Sequence, residues 1–549
     1  MGKKKLVVIG DEIDGIKAAA RAICQNPEVE AKVLIPGKYP SFNSYMLSYF
    51  IQNSEEDVFS LVEGIMDNFR VQGSMDILTE TRVTDILPVE KKVIFEELKD
   101  GHSSVLEYDK LIIATGASPV VPAIEGINLG NVLFLKSPED VAIIQEGIKE
   151  GRLKKAVVVG AHMAGVYLAE SLWKRGVKVS LVERGSQILP ELDIEMAELV
   201  RRQMGRKGVE VLVGEKVLSL IGNAKGDVVE VHTPEHIIPA DVVIWLDDMK
   251  PNVEVAKKAG IIIGASGAIE VDQYMETNVP GIYAMGSCAE RVHHITGKPV
   301  WVYWQAVDDV ALHVISQNIL GDNDCMLEKG VLGAIGIQAF DLGIARAGLS
   351  LQQAWQEGYD GEAAIVSVYD DRYAGGGGYR ENTIKLIVNR SNGKIMGVQC
   401  VGGALSDKLV DIVATVMGMD GTVKDLAVLD LISMNQHPIL LVAHVMLNKL
   451  QGKLKGISPL ELSSLVHNEE VVLLDVRTES EFKMGTLPGA INIPLEELEN
   501  RKDELDRERL IVLISERGRR ASLAYVKLKQ LGFERLRVLD GGLLIYPFV

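Results

Sequence analysis

Two glycine turns, each between an apolar strand and a helix, are the first features of the chain with chemical meaning. In the second of them, the apolar residues 156–159 lead into Gly160, and Gly165 opens a small-residue helix. Such glycines bring the helix N-terminus close to the pyrophosphate of a dinucleotide. The next strand ends at Glu183, at the spacing from the turn that places a carboxylate on a ribose 2'-hydroxyl. This unit therefore predicts binding of NAD rather than its 2'-phosphorylated form.

The first glycine turn has the same strand-turn-helix pattern, but it contains acidic residues. Residues 6–9 form an apolar strand, and Gly10 and Gly15 bracket a turn that contains the carboxylates Asp11, Glu12 and Asp14. Beside a pyrophosphate these groups would repel it unless they pointed away or were neutralised. The acid expected at the end of the next strand is replaced by Ile35. Two interpretations stay open, a nucleotide site or a structural unit that has lost its ligand.

Composition narrows the class of protein. The chain has 549 residues, enough for about three or four domains, with 47% hydrophobic and 24% charged residues. A net charge of -18 opposes general binding to nucleic acid. The four cysteines are far apart, which predicts neither a zinc site nor a disulfide framework and suits a reducing cytoplasm. No apolar run approaches the length of a membrane span.

Four further stretches carry a resemblance to a known family. They are residues 108–119, which run into Thr115 and Gly116, residues 187–196, the Pro-Asn pair at 251–252, and residues 277–290. Together they resemble the coenzyme A disulfide reductase and NADH oxidase family of pyridine nucleotide-disulfide oxidoreductases. The resemblance implies FAD and NADH as cofactors and a homodimer. It places Gly10, Gly15, Thr115, Gly116, Gly286 and Ser287 at FAD, and Gly160, Gly165 and Glu183 at NADH.

The same resemblance exposes the substitutions in the active site. Tyr45 stands where the family carries its redox cysteine, and a phenol cannot form a mixed disulfide. Tyr167 stands where many relatives have a glutamate facing the flavin and nicotinamide, so it would gate the hydride path or simply pack. His437 lies in a His-Pro pair that related reductases use for acid-base chemistry, with a glutamate five residues after the histidine. Here that position is Val442, so a packing role is favoured over that of a proton donor. Ser287 replaces the aspartate that holds the ribityl chain.

The last part of the chain resembles a rhodanese. Residues 471–477, 485–494 and 539–542 match that domain, and its sulfur-carrying cysteine loop reads Ser-Glu-Arg-Gly-Arg-Arg at 515–520. Serine cannot carry a persulfide. The loop would then bind an anion through Ser515, Arg517, Gly518, Arg519 and Arg520, or the domain would serve for docking.

We therefore expect an α/β protein with two Rossmann-like domains for FAD and NAD(P), an α+β dimerisation domain and a C-terminal α/β rhodanese-like domain. The expected boundaries are 1–115 with 255–322 for FAD, 116–254 for NAD(P), 323–448 for dimerisation, 449–456 for a linker and 457–549 for the rhodanese-like domain.

Two functions compete. The first is a flavoprotein that passes electrons from NADH through the flavin to an acceptor, such as a partner redox protein, without a redox cysteine. The second is a catalytically silent or regulatory subunit, favoured by the carboxylates of the first turn, Ile35 and Ser287. A sulfurtransferase would need a cysteine at 515 and is disfavoured. We expect no metal, no nucleic acid and no membrane span.

Overall fold

A computed structural model describes residues 4–10, 12–53, 57–70, 75–303, 309–319, 321, 325–327, 329–369, 381–432 and 437–546. The first half of the chain contains β1 (Lys4–Ile9), α1 (Ile13–Gln25), β2 (Val29–Leu34), α2 (Ser44–Gln52), α3 (Val58–Arg70), β3 (Met75–Leu78), β4 (Thr81–Leu87), β5 (Lys92–Glu97), β6 (Ser103–Glu107), β7 (Lys110–Ile113), β8 (Ala117–Pro119), β9 (Val132–Leu133), α4 (Pro138–Lys149), β10 (Lys155–Val159), α5 (Met163–Lys174), β11 (Lys178–Glu183), α6 (Ile194–Arg206), β12 (Glu210–Val213), β13 (Ser219–Gly222), β14 (Val228–His232), β15 (Ile237–Pro239), β16 (Val242–Trp245), β17 (Met249–Pro251) and α7 (Glu254–Lys258).

The second half continues with β18 (Ile282–Ala284), β19 (Glu290–Val292), β20 (Pro299–Trp301), α8 (Asp309–Asn318), β21 (Ile335–Ala339), β22 (Leu342–Gly348), α9 (Leu351–Gln356), β23 (Gly361–Tyr369), β24 (Glu381–Asn389), β25 (Ile395–Gly402), α10 (Ser406–Gly418), α11 (Val423–Ala427), α12 (Pro438–Leu450), β26 (Gly456–Ile457), α13 (Pro459–Ser463), β27 (Val471–Asp475), α14 (Glu479–Lys483), β28 (Ile491–Asn492), β29 (Leu510–Ile514), α15 (Arg519–Gln530) and β30 (Leu536–Leu539).

The chain divides into two compact units, and the first comprises residues 1–186 and 209–333. It contains two parallel five-stranded sheets, with strand orders β18-β7-β1-β2-β3 and β12-β11-β10-β16-β9. Their central strands are apolar and buried, as parallel strands covered on both faces must be. In each sheet the strand that leads into the glycine turn, β1 or β10, lies at the middle, so the two predicted dinucleotide-type folds are confirmed.

Strands β8 and β17 pair with each other as a two-stranded antiparallel ribbon. It is built from residues 117–119 and 249–251, on either side of the second sheet along the chain. The two chain segments that connect the first sheet with the second are therefore hydrogen-bonded to each other.

The second unit comprises residues 187–208 and 334–549. Its first sheet is antiparallel, in the order β21-β22-β25-β24-β23, and helices α10 and α12 pack on its strands. Its second sheet is parallel, in the order β26-β30-β29-β27-β28, over a core of aliphatic and aromatic residues with α15. The predicted α+β and C-terminal α/β domains are thereby confirmed as folds.

Helix α12 runs to Leu450 and so continues into the stretch predicted as a linker. Lys449, on its last turn, is buried and contacts Glu362 and Asp540, each at 2.9 Å. Burial raises the pKa of Asp540 to about 6, against the opposing effect of Lys449. The start of the predicted linker is therefore an ordered junction between the antiparallel sheet and the last domain.

The segment 187–196, singled out by its sequence, is anchored through charge. The ammonium of Lys385 on β24 lies 2.8 Å from Asp193 and 2.6 Å from Glu195, and all three side chains are buried. Gln399 on β25 donates to Asp193 at 2.8 Å. This stretch of sequence thus serves to attach α6 to the antiparallel sheet.

Candidate functional site

Three turns converge at the carboxyl edge of the first sheet, because strands β1, β7 and β18 are adjacent and parallel. Gly10 follows β1, the Thr115-Gly116 pair follows β7, and the Gly286-Ser287 pair follows β18. This edge is where open α/β sheets bind nucleotides. Folding therefore gathers the predicted flavin residues, which are up to 277 positions apart in sequence, into one place.

The side chain of Glu12 lies within this group of turns. Its two carboxylate oxygens accept hydrogen bonds from the Ser287 N–H at 3.1 and 3.2 Å. The side chain also contacts both neighbouring glycines: a methyl group built on Gly286 would lie 1.9 Å from Glu12 Oε2, and one on Gly116 would lie 2.9 Å from Glu12 Cγ. The turn therefore already holds an anionic group, which belongs to the chain itself.

The remaining carboxylates of this turn behave differently. Helix α1 begins at Ile13, before the expected Gly15, so Asp14 lies in its first turn and pairs with Lys17 at 3.2 Å. Asp14 is thereby neutralised, as a nucleotide site would require, whereas Glu12 is directed into the turn. Asp11 lies outside the described residues. Ile35 is fully buried, so its position offers no ribose acceptor.

Asn252 fixes the Thr115-Gly116 turn. The Thr115 hydroxyl donates to the Asn252 carbonyl at 2.6 Å, and the Asn252 side-chain amide donates to the Thr115 carbonyl at 2.7 Å. The Asn252 N–H in turn donates to the Gly116 carbonyl at 2.9 Å. The Pro-Asn pair therefore acts by positioning the turn.

Tyr45 and Tyr167 are brought together by the packing of α2 against α5. Their ring centroids are 6.0 Å apart, with an interplanar angle of 41°. Tyr45 lies in the first turn of α2, which Asn43 caps by accepting the Met46 N–H at 2.9 Å. Burial, followed by the charge of Glu170, raises the pKa of Tyr167. The Tyr167 phenol is therefore kept in its neutral form.

One cavity connects Tyr45 with the Glu12 turn. Its lining also includes the cations Lys136 and Arg291 and the aromatic ring of Tyr303. Sequence reasoning did not single out Lys136, Arg291 or Tyr303, because no local motif marks them. Among the described residues that line this cavity there is no cysteine.

Cys288 lies behind the turn and not in the cavity. Its side chain is fully buried, with Sγ 3.2 Å from the Met285 carbonyl and 3.4 Å from that of Ile113. Burial, reinforced by the charge of Glu12, raises the pKa of this thiol to about 11. It is therefore a thiol at neutral pH and packs as an apolar side chain.

The second glycine turn is a tight connection between β10 and α5. Gly160 has φ of 101°, and a methyl group on Gly165 would lie 1.9 Å from the Gly160 carbonyl oxygen, so both positions require glycine. Glu183 accepts the N–H groups of Ala161 at 2.8 Å and Gly185 at 2.7 Å. His162 precedes α5 but does not cap it, because its Nε2 faces the Leu246 carbonyl at 2.8 Å.

An ion pair crosses the same sheet edge. Arg184, just after β11, makes two contacts with Asp248, at 2.7 and 2.8 Å, in the loop after β16. Strand β10 and its glycine turn lie between β11 and β16. The two aspartates at 247 and 248, unusual for the resemblance, thus have a cationic partner at the nucleotide edge.

His437 belongs to the second unit and has a local task. Its Nδ1 accepts the Ile439 N–H at 3.2 Å, and it caps the start of α12 with its ring buried. The position at which related reductases carry an orienting acid is Val442, which is also buried. The geometry accounts for this histidine as a helix cap.

Three of the predicted contacts of the rhodanese-like loop, Ser515, Arg517 and Arg520, already have partners within the chain, whereas Arg519 is exposed. Ser515 is 1% exposed, and its hydroxyl oxygen accepts the Ala521 N–H at 3.2 Å. Arg520 pairs with Glu481 at 2.5 Å and lowers the pKa of that carboxyl to about 2. Arg517 pairs with Glu381, and its guanidinium stacks 4.7 Å from the ring centre of Tyr369. Gly518 begins α15 with φ of 81°.

Comparison with known proteins agrees with this architecture. Residues 4–301 match the pyridine nucleotide-disulphide oxidoreductase family, residues 336–433 its dimerisation domain, and residues 458–544 the rhodanese-like domain. The chain belongs to the pyridine nucleotide-disulphide oxidoreductase family. The resemblance found in the sequence is thereby confirmed, and the family is one of NAD(P)H-dependent flavin oxidoreductases.

Three family members illustrate the match. An NADH oxidase of Methanocaldococcus jannaschii is 30% identical, over 82% of this chain and 100% of its own length. The crystal structure of reduced Bacillus anthracis CoADR-RHD superposes with a TM-score of 0.90 at 29% identity, covering 100% of this chain and 98% of its own. An NAD-dependent persulfide reductase from A. fulgidus gives a TM-score of 0.90 at 33% identity, covering 99% and 100%.

Enzymes of this family are FAD-dependent and use NADH, as the resemblance implied. In this chain the glycine turns, the Thr115-Gly116 pair and the cavity beside Tyr45 suit FAD. The fit has one condition, because the Glu12 carboxylate holds the Ser287 N–H that a phosphate oxygen would need. A phosphate oxygen that takes this N–H must displace the carboxylate from it. Among the described residues, no helix is long and apolar enough to cross a membrane.

Proposed function

We propose that this chain is a homodimeric NADH oxidoreductase that works without a redox cysteine. The observation that carries the proposal is the cavity wall itself, which presents Tyr45 at the cysteine position and contains no thiol among its described residues. When bound, FAD would take hydride from NADH and release electrons one or two at a time. The acceptor is then a small oxidant, such as oxygen or a quinone, or a partner redox protein.

The residues of the chain have distinct tasks in this proposal. Glu183 would orient the adenosine ribose of NADH, and the Gly160 and Gly165 turn would receive its pyrophosphate. Asn252 would hold the Thr115-Gly116 turn against the flavin. The aromatic pair of Tyr45 and Tyr167 would cover the ring end of the cavity and limit access of water to it.

The rhodanese-like domain has a docking role in the same proposal. Its buried Ser515 and its paired Arg517 and Arg520 favour docking over anion binding. The ordered junction at Lys449 supports the same assignment.

The test is an absorption spectrum of the full chain reconstituted with FAD, before and after NADH under argon. We expect a flavin band that NADH bleaches, followed by recovery on adding oxygen, ferricyanide or a quinone. Turnover should survive alkylation with N-ethylmaleimide, since the exposed Cys24 and the half-buried Cys325 do not line the cavity and Cys288 and Cys400 are buried. Loss of turnover on alkylation would refute the thiol-free route, and a bound flavin that NADH never bleaches would favour the silent subunit.

A further inference from the structure

The Glu12 side chain reaches beyond its own turn, in contrast to that of Asp14. Asp14, two residues later, is paired with Lys17 at 3.2 Å. Glu12 instead reaches across to a turn 275 residues away and accepts the Ser287 N–H with both oxygens.

The backbone holds Glu12 in this position. The residue is extended, with φ of -65° and ψ of 130°, and its own N–H donates to the Ala114 carbonyl at 3.3 Å. It also pairs with Ser41 as an isolated parallel bridge. The side chain is therefore presented to the turn by ordinary, unstrained backbone geometry, which any L-residue can adopt.

The Glu12 carboxylate occupies a position of the kind that a dinucleotide fold uses to bind phosphate. A backbone N–H at the carboxyl edge of the central strands, next to glycines that leave room for close approach, is a phosphate-binding arrangement. Glu12 uses the N–H of Ser287 and fills the space beside Gly286 and Gly116. Its charge and its two acceptor oxygens reproduce those of one phosphate edge.

We propose that Glu12 is an internal competitor of the flavin pyrophosphate and sets how tightly this chain holds FAD. To bind, the diphosphate must displace a carboxylate from its hydrogen-bond donor, and it then shares the turn with that negative charge. The inference rests on the proposed function only in taking FAD as the ligand. It concerns binding, so it is measured without turnover.

The experiment compares equilibrium dissociation constants for FAD in the flavin-free full chain, by flavin fluorescence, for the wild type, Glu12→Ala, Glu12→Gln and Asp14→Asn. We expect E12A to bind FAD at least tenfold more tightly than the wild type. E12Q should fall between them, because its amide oxygen still accepts the Ser287 N–H but carries no charge. D14N removes the same charge from the same turn, yet it should change the constant less than twofold.

Riboflavin serves as the control ligand because it has the ring but no phosphate. Its affinity should differ less than twofold between the wild type and E12A, and so should that of NADH, which reports that the second nucleotide fold is intact. An unchanged or weaker affinity of E12A and E12Q for FAD would overturn the proposal. An equal gain in D14N, or an equal gain for riboflavin, would also overturn it, since either would show a general effect of charge or of folding. Failure of NADH to bleach bound FAD would instead count against the proposed function and leave these constants standing.

Discussion

Replacing Lys385 by Met should destabilise the second unit strongly, because Lys385 is the only described cation in contact with Asp193 and Glu195. Its side chain is 2% exposed, and the two carboxylates lie at 2.8 and 2.6 Å. At an effective dielectric constant of about 20, each contact corresponds to about 6 kcal/mol before desolvation is subtracted. Because methionine fills nearly the same space, the variant isolates the loss of charge.

The net decrease in the free energy of unfolding depends on Asp193 and Glu195, the two carboxylates that lose their ion-pair partner. Removing one partner of a buried ion pair costs about 3–5 kcal/mol, since the remaining charge has no compensation. Asp193 keeps donors in Gln399 and the Leu351 N–H, at 2.8 and 3.1 Å, so most of the loss should come from Glu195. The double variant K385M/E195Q should therefore recover at least about 1 kcal/mol of the loss.

The assay is urea unfolding of the full chain, with hydrogen exchange followed in peptides from β24 and β25 so that the transition is assigned to this sheet. Lys394→Met is the matched control, because that half-exposed lysine lies 3.5 Å from Asp420 and should cost less than about 1 kcal/mol. A loss below about 1 kcal/mol in K385M, or no recovery in the double variant, would show that the cluster does not anchor α6.

The contacts of Asp193 and of Asn252 give two further predictions. Burial alone would raise the pKa of Asp193, but Lys385 outweighs it and the pKa lies below its ordinary value. This contribution to stability is present above the unfolded pKa of about 3.9 and is lost as the pH falls through the folded value. Acid unfolding of the second unit should therefore steepen below about pH 4 in the wild type, and it should be less steep in K385M. Asn252→Ala removes a side-chain hydrogen bond to the Thr115 carbonyl, so the free energy of unfolding of the first unit should fall by about 1–3 kcal/mol and FAD should bind more weakly. Calorimetry and flavin titration measure both effects, and unchanged values for the two would contradict the positioning role of Asn252.

Local patterns in the sequence were sufficient for the fold and for the kind of site. An apolar strand, a glycine turn and a helix at fixed spacing define a dinucleotide fold without any distant contact, and both such folds are present. The replacement of the two family cysteines, which the resemblance places at Tyr45 and Ser515, is likewise a prediction from local sequence, because the family's reaction depends on the sulfur atom at each position.

The contacts of each of these charged side chains were determined by the tertiary structure and not by the local sequence. The sequence shows three carboxylates in one turn, yet only the approach of Gly116 and Gly286 determines that Glu12 contacts these two glycines, while Asp14 pairs along its own helix. Likewise, the loop arginines 517 and 520 resemble an anion site until Glu381 and Glu481 are brought beside them by packing. The physical reason is that secondary structure depends on residues adjacent in sequence, whereas the ion-pair and hydrogen-bond partners of a charged side chain depend on residues adjacent in space. Here such partners are up to 275 residues apart in sequence.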